Sequence, residues 1–179
     1  MDQTIVIGHV ALIQRSKKQW FTLAVIKALR DKDYDAVGVF AGECREPEYM
    51  AELEKKVKEY GLDGQVTFLG RRNDIPDLLK MIDVLMIPSA FEGFPLAGLE
   101  AAAAGVPVAA CNVAGAEEFI RVSGDGFCFA EDSIDEAVEA VETILAQKTE
   151  MKESGKAFAV GMSNAEYATN IKAEFGQIT

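Results

Sequence analysis

Short, unbroken apolar runs alternate with longer segments of helical period along most of the chain. Residues 4–8, 36–41, 65–69, 84–87, 106–110 and 127–130 read as strands. Residues 18–29, 47–60, 74–81, 96–104, 114–121 and 133–146 read as helices, with a terminal helix over 163–175. Pro76 suits a first helical turn. Ser133 with Glu136, and Ser163 with Glu166, have the spacing of capping boxes. The more polar stretch 147–162 reads as a connector or an extra helix. The run Val84, Leu85, Met86, Ile87 shows no alternation, as suits a parallel strand buried on both faces. Strand after helix after strand predicts one α/β domain, a doubly wound, Rossmann-like parallel sheet of about six strands. The helix over 96–104 is apolar all round apart from Glu100 and so reads as buried. A carboxylate there is costly unless a ligand or polar partner meets it.

In such sheets ligands sit beyond the carboxyl ends of the strands. The loops to inspect are therefore 8–17, 42–46, 70–73, 89–95 and 112–115. Four of the five set glycine beside a polar or charged residue, which lets a ligand approach the backbone.

Composition narrows the choice of ligand. The chain has 179 residues, enough for one domain with a real core. Its net charge of −11 argues against nucleic acid as a partner, though not against a small phosphate compound. Cys44, Cys111 and Cys128 form no C-x-x-C pair, and their odd number discourages a disulfide framework. For Cys111 and Cys128, each in an apolar run, buried thiols in a reducing cytoplasm are the simpler reading. No run approaches the ~18 apolar residues of a transmembrane helix, and no signal peptide is expected. The expected location is cytoplasmic, with any membrane contact made through a partner domain.

Several motifs then converge. PSAFEGFP carries Glu92, and LEAAAAGVPV carries Glu100 eight residues later. Upstream stand QVTFLG with Arg71 and Arg72, and LLKMIDVLMIPS; downstream stands NVAGAEE. Over about residues 4–146 the chain resembles the donor-binding, C-terminal half of the GT-B fold, in the family-four (group 1) retaining glycosyltransferases. Two departures stand out. Gly8 is followed by His9 where the family usually has Arg, and the loop lysine is followed by Lys or Gln rather than Gly. The first domain, which ordinarily carries the acceptor site, is expected to be absent. The chain then reads as a fragment, half of a split enzyme, or a free-standing binding domain.

The resemblance implies a nucleoside diphosphate sugar as donor substrate, no other cofactor and no metal. Glu100 would accept hydrogen bonds from ribose hydroxyls, and Glu92 from hexose hydroxyls. Amides of Gly93, Phe94, Pro95's neighbour Leu96 and the helix start would face the pyrophosphate. Arg15 with Lys17 or Lys18 would neutralise the departing diphosphate. Gly8, His9, Gly42, Gly70 and Arg71 complete the expected donor contacts. The partner would be an N-terminal acceptor domain or a separate subunit. Three rivals remain: half of a nucleotide-sugar epimerase, a binding module without catalysis, and a pure interaction domain. Asp31 and Asp33 form an Asp-x-Asp pair, but after a helix, where it reads as a turn.

Overall fold

A computed structural model describes residues 4–162. The terminal helix expected over 163–175, with its Ser163–Glu166 capping box, lies outside the described residues. The strands are β1 (Ile5–Val10), β2 (Ala36–Ala41), β3 (Val66–Phe68), β4 (Val84–Ile87), β5 (Val108–Cys111) and β6 (Gly126–Phe129). The helices are α1 (Gln19–Asp31), α2 (Pro47–Glu59), α3 (Ile75–Leu79), α4 (Leu96–Ala104), α5 (Ala114–Ser123) and α6 (Ile134–Gly161). All neighbouring strands pair in parallel, in the order β3-β2-β1-β4-β5-β6. The order reverses between β1 and β4, which is where doubly wound sheets open a crevice at their carboxyl edge.

Side-chain alternation builds two cores. Ile5, Ile7, Val84, Met86, Ala109 and Cys111 pack against α1, α2 and the first half of α6. Leu85, Ile87, Val108 and Ala110 face α3, α4 and α5 on the opposite side. Every residue of β4 and β5 is buried, as expected of strands covered on both faces. Phe21 of α1 stacks on Phe129 of β6 at 5.3 Å, and both are fully buried. Burying each such ring contributes about 1.5–3 kcal/mol.

Several boundaries differ from expectation. β1 runs on to Val10 because His9 and Val10 lie opposite Phe40 and Ala41 of β2. β5 begins later, at Val108, because Gly105 ends α4 at φ 71° and Val106 N–H turns back to the Ala101 carbonyl. Ser133 caps α6 by accepting from Glu136 N–H. The carboxylate of Glu136 accepts from Ala130 N–H instead of returning to Ser133, so the box closes on the strand end.

Most of the stretch 147–162 is helical, up to Gly161. α6 breaks at Gln147 (φ −113°, ψ 16°), and the part beyond the break passes below the amino ends of the sheet. Lys148 pairs with Asp83 just before β4. Gly155 packs on Asp125 just before β6, and the Lys156 chain lies over Gly105 before β5. Phe158 and Ala159 then reach the second core. The carboxyl edge, on the other side, is left to loops.

Candidate functional site

At the β1/β4 switch point lies a cavity of about 240 Å³. The end of β1 supplies His9 and Val10, and β4 supplies Met86 and Ile87, followed by Ser89. The loop before α1 contributes Leu12 and Lys17, and the loop before α4 contributes Glu92, Phe94 and Pro95. Leu96 and Ala97 place the start of α4 at the wall. Ala90 N–H donates to the Ser16 carbonyl at 3.2 Å, which ties the two loops together.

Lys17 and Glu92 form an ion pair, Nζ to Oε1 2.7 Å, with side chains 24% and 12% exposed. Lys17 stands on a one-turn 3-10 helix, Arg15–Lys17, and Lys18 then takes φ 49° to redirect the chain into α1. Among the described lining residues Lys17 is the one cation and Glu92 the one carboxylate. The Glu92 loop is braced from behind. A Cβ on Gly115, in the first turn of α5, would stand 2.2 Å from the Gly93 carbonyl oxygen and 2.3 Å from that of Glu92. Only glycine permits this approach. Phe94 meets Phe119 of α5 edge-on at 6.1 Å, a second brace.

His9 is 2% exposed, hydrogen-bonded to Thr22 Oγ1 at 2.8 Å and stacked on Phe40. Burial, and secondarily the charge of Lys17, lower its pKa to about 3. The imidazole is therefore neutral near pH 7 and adds no charge to the cavity. Its titration is simple to follow because it is the one histidine. Proton NMR of the folded chain is expected to show no imidazole titration between about pH 5 and pH 8. The depressed value also sets a stability slope: stability is held above the unfolded value of 6.5 and lost as pH falls from there towards about 3. A His9 midpoint near 6.5 in the folded protein would contradict the buried placement.

The other expected residues are dispersed. Arg15 makes a bidentate pair with Glu52 of α2, lies near Glu46, and covers the Tyr49 ring at 5.2 Å. These carboxylates hold it outside the cavity lining. Lys18 pairs with Glu131 and Asp132 at 2.7 Å each, also outside the lining. Of the three expected cations, the fold brings Lys17 alone to Glu92. Glu100 is exposed on α4 rather than buried. α4 buries only the stripe Gly98, Ala101 and Ala102, so Leu96 stays 69% exposed despite its apolar character. Small alanines made the helix look apolar on every side.

The glycines divide into two sets. Gly8 accommodates Ile82, and Gly42 lies under the Ala11 carbonyl, so these two serve close packing. Gly70 and Gly93 have open space where a side chain would be. Gly70 accepts from Gly42 N–H. Arg71 lines a separate open hollow with Arg72, Asn73 and Asp74, where Arg72 is paired to Asp74. Asp31 ends α1, paired to Lys27, and Asp33 follows at φ 65°, so the Asp-x-Asp pair forms a turn.

The sequence reading missed Leu12 and Ser89. Leu12 reaches the cavity because Gln19 Nε2 donates to its carbonyl and fixes the loop. Ser89, 2% exposed, follows Pro88 at the end of β4. A polar residue directly after an apolar strand was the available signal for it.

The profile of "Glycosyl transferases group 1" matches residues 2–159. The UDP-Gal:alpha-D-GlcNAc-diphosphoundecaprenol alpha-1,3-galactosyltransferase of Escherichia coli is 35% identical over 115 residues, covering 64% of this chain and 29% of that protein. HepE of Anabaena, solved with UDP-glucose, superposes with a TM-score of 0.85 at 25% identity, covering 98% of this chain and 49% of HepE. The C-terminal domain of LpcC, a group 1 glycosyl transferase of Francisella tularensis, gives 0.76 at 25% identity, covering 87% of this chain and 84% of that domain. The chain thus spans about half of HepE and less than a third of the Escherichia coli enzyme, while matching most of the isolated LpcC domain. No helix among the described residues is long and apolar enough to cross a membrane. The parallel sheet, its order and the profile match agree: the chain belongs to the group 1 glycosyl transferases and has the fold of a GT-B nucleotide-sugar-binding half.

Proposed function

We propose that this chain is the donor-binding half of a retaining glycosyltransferase and takes a nucleoside diphosphate hexose at the β1/β4 switch point. One observation carries the reading: a cation, a carboxylate and the start of α4 converge on one cavity where the strand order reverses. Negative charge builds on the diphosphate as the bond to the sugar breaks. Lys17 and the backbone amides opening α4 lie on the side that would stabilise it. In this reading Glu92 accepts from hexose hydroxyls, and Glu100, exposed further along α4 and outside the cavity lining, from the ribose. HepE supports the choice of ligand, since that protein was solved with UDP-glucose.

Acceptor binding and transfer are assigned to a second domain or partner subunit. Transfer requires donor and acceptor to be held together, an effect worth many orders of magnitude in rate. Leu12, Phe91 and Leu96 expose 40%, 80% and 69% of their surface at the donor edge, an apolar rim suited to such a partner. A second reading, a module that binds nucleotide sugar without catalysis, draws on the balanced charge of the cavity.

Titration calorimetry with uridine, guanosine and adenosine diphosphates, and with their hexose conjugates, tests the proposal. Binding of at least one conjugate is expected, with loss of affinity in Lys17→Ala by roughly tenfold or more. A wild-type chain that ignores all of them at millimolar concentration would remove the donor assignment.

A further inference from the structure

We propose that the Lys17–Glu92 ion pair is a displaceable lock that favours an intact nucleoside diphosphate sugar over the spent nucleoside diphosphate. The proposal rests on the donor-site reading and adds to it a basis for discrimination and product release.

In the unliganded fold the cavity's cation is already neutralised. Lys17 Nζ lies 2.7 Å from Glu92 Oε1, and both side chains are largely covered. The remaining lining is uncharged and includes Leu12, Ser89, Phe94 and neutral His9. Lys18 and Arg15 are committed elsewhere, to Glu131 with Asp132 and to Glu52. An arriving diphosphate therefore has to take Lys17 from Glu92.

That exchange leaves a carboxylate, only 12% exposed, without its counter-ion and close to two phosphates. Separating a covered ion pair from one side is costly. Glu92 has little freedom to escape, because Gly115 packs directly against the Glu92 and Gly93 carbonyls. The loop is also anchored by Phe94 on Phe119. A hexose changes the balance. Its hydroxyls donate to the released carboxylate and replace the lost hydrogen bond with charge-assisted ones. Intact donor satisfies both members of the pair. Spent diphosphate satisfies Lys17 alone, so the ion pair re-forms and helps to expel it.

The test compares wild type, Glu92→Gln, Lys17→Met and the double variant by calorimetry. The ligands are the three nucleoside diphosphates and their hexose conjugates, with folding checked by circular dichroism. Glu92→Gln is expected to bind the diphosphate on the order of tenfold more tightly while losing the preference for the conjugate. On the Lys17→Met background, Glu92→Gln is expected to raise diphosphate affinity much less than in wild type, since only the repulsion between carboxylate and phosphates is then relieved and no pair remains to be broken. A wild type that binds diphosphate weakly or not at all, with Glu92→Gln binding it, supports the lock in its strongest form. Equal diphosphate affinity in wild type and Glu92→Gln overturns the lock while leaving the donor site standing. No binding by any of the four proteins overturns the donor site and the lock together. Should Glu92→Gln fail to fold, Glu92→Asp, which shortens the reach to Lys17, is expected to shift affinity in the same direction, and unchanged affinity there overturns the lock.

Discussion

Replacing Asp125 by Asn is expected to stabilise the chain increasingly as pH rises, with little effect near pH 4. Asp125 is fully buried, and neither carboxyl oxygen has a hydrogen-bond partner among the described residues. Gly155 closes the space over it: a Cβ there would lie 2.4 Å from the carboxyl group. Burial raises its pKa from 3.8 to about 8. The sign follows from proton release. Below 3.8 both folded and unfolded chains hold the proton, and stability is full. Between 3.8 and about 8 the unfolded chain releases it and the folded chain does not, so stability falls by about 1.4 kcal/mol per pH unit. Above about 8 the loss is complete. Asn has the shape of the neutral carboxyl and does not titrate. Its advantage near pH 7.5 is expected to reach several kcal/mol, or roughly 10 °C in melting temperature for a domain of this size. His9 weakens both proteins alike in acid, so the difference between them isolates Asp125. Melting curves that remain parallel from about pH 4 to pH 8.5 would contradict an uncompensated buried carboxyl.

Gly115→Ala is expected to reduce donor affinity by on the order of tenfold, although Gly115 does not line the cavity. One methyl group would stand 2.2 Å from a backbone oxygen, so the Gly93 carbonyl has to move. That shift carries the Glu92 carboxylate away from Lys17. Overpacking of this kind also costs about 1–3 kcal/mol of stability. Gly161→Ala is the control, because nothing lies within 4 Å of the added carbon. Calorimetry and thermal melts on both variants check the pair of effects. Wild-type donor affinity in a folded Gly115→Ala would show that the loop is not braced from α5.

The sheet was legible in the sequence because β4 and β5 write burial as unbroken apolar runs. Boundaries shifted where the deciding contact was remote. His9 and Val10 join β1 only because β2 lies beside them. The motif points to both glutamates, yet only Glu92 lines the cavity and Glu100 is exposed rather than buried, since alanines carry almost no sidedness. Charge was the least legible feature. Arg15, Lys17 and Lys18 look equivalent along the chain, and their separation depends on Glu52, Glu92 and Glu131, which lie 37, 75 and 113 residues away. The brace at Gly115 depends on a backbone approach that no local pattern announces.

A crystal structure of the chain soaked with a nucleoside diphosphate hexose from the calorimetric panel would show where the donor lies. The diphosphate is expected at the β1/β4 switch point, against Lys17 Nζ and the amides at the start of α4, with the hexose hydroxyls on Glu92. A ligand bound elsewhere on the sheet, with the Lys17–Glu92 pair still closed and the cavity unoccupied, would contradict this placement.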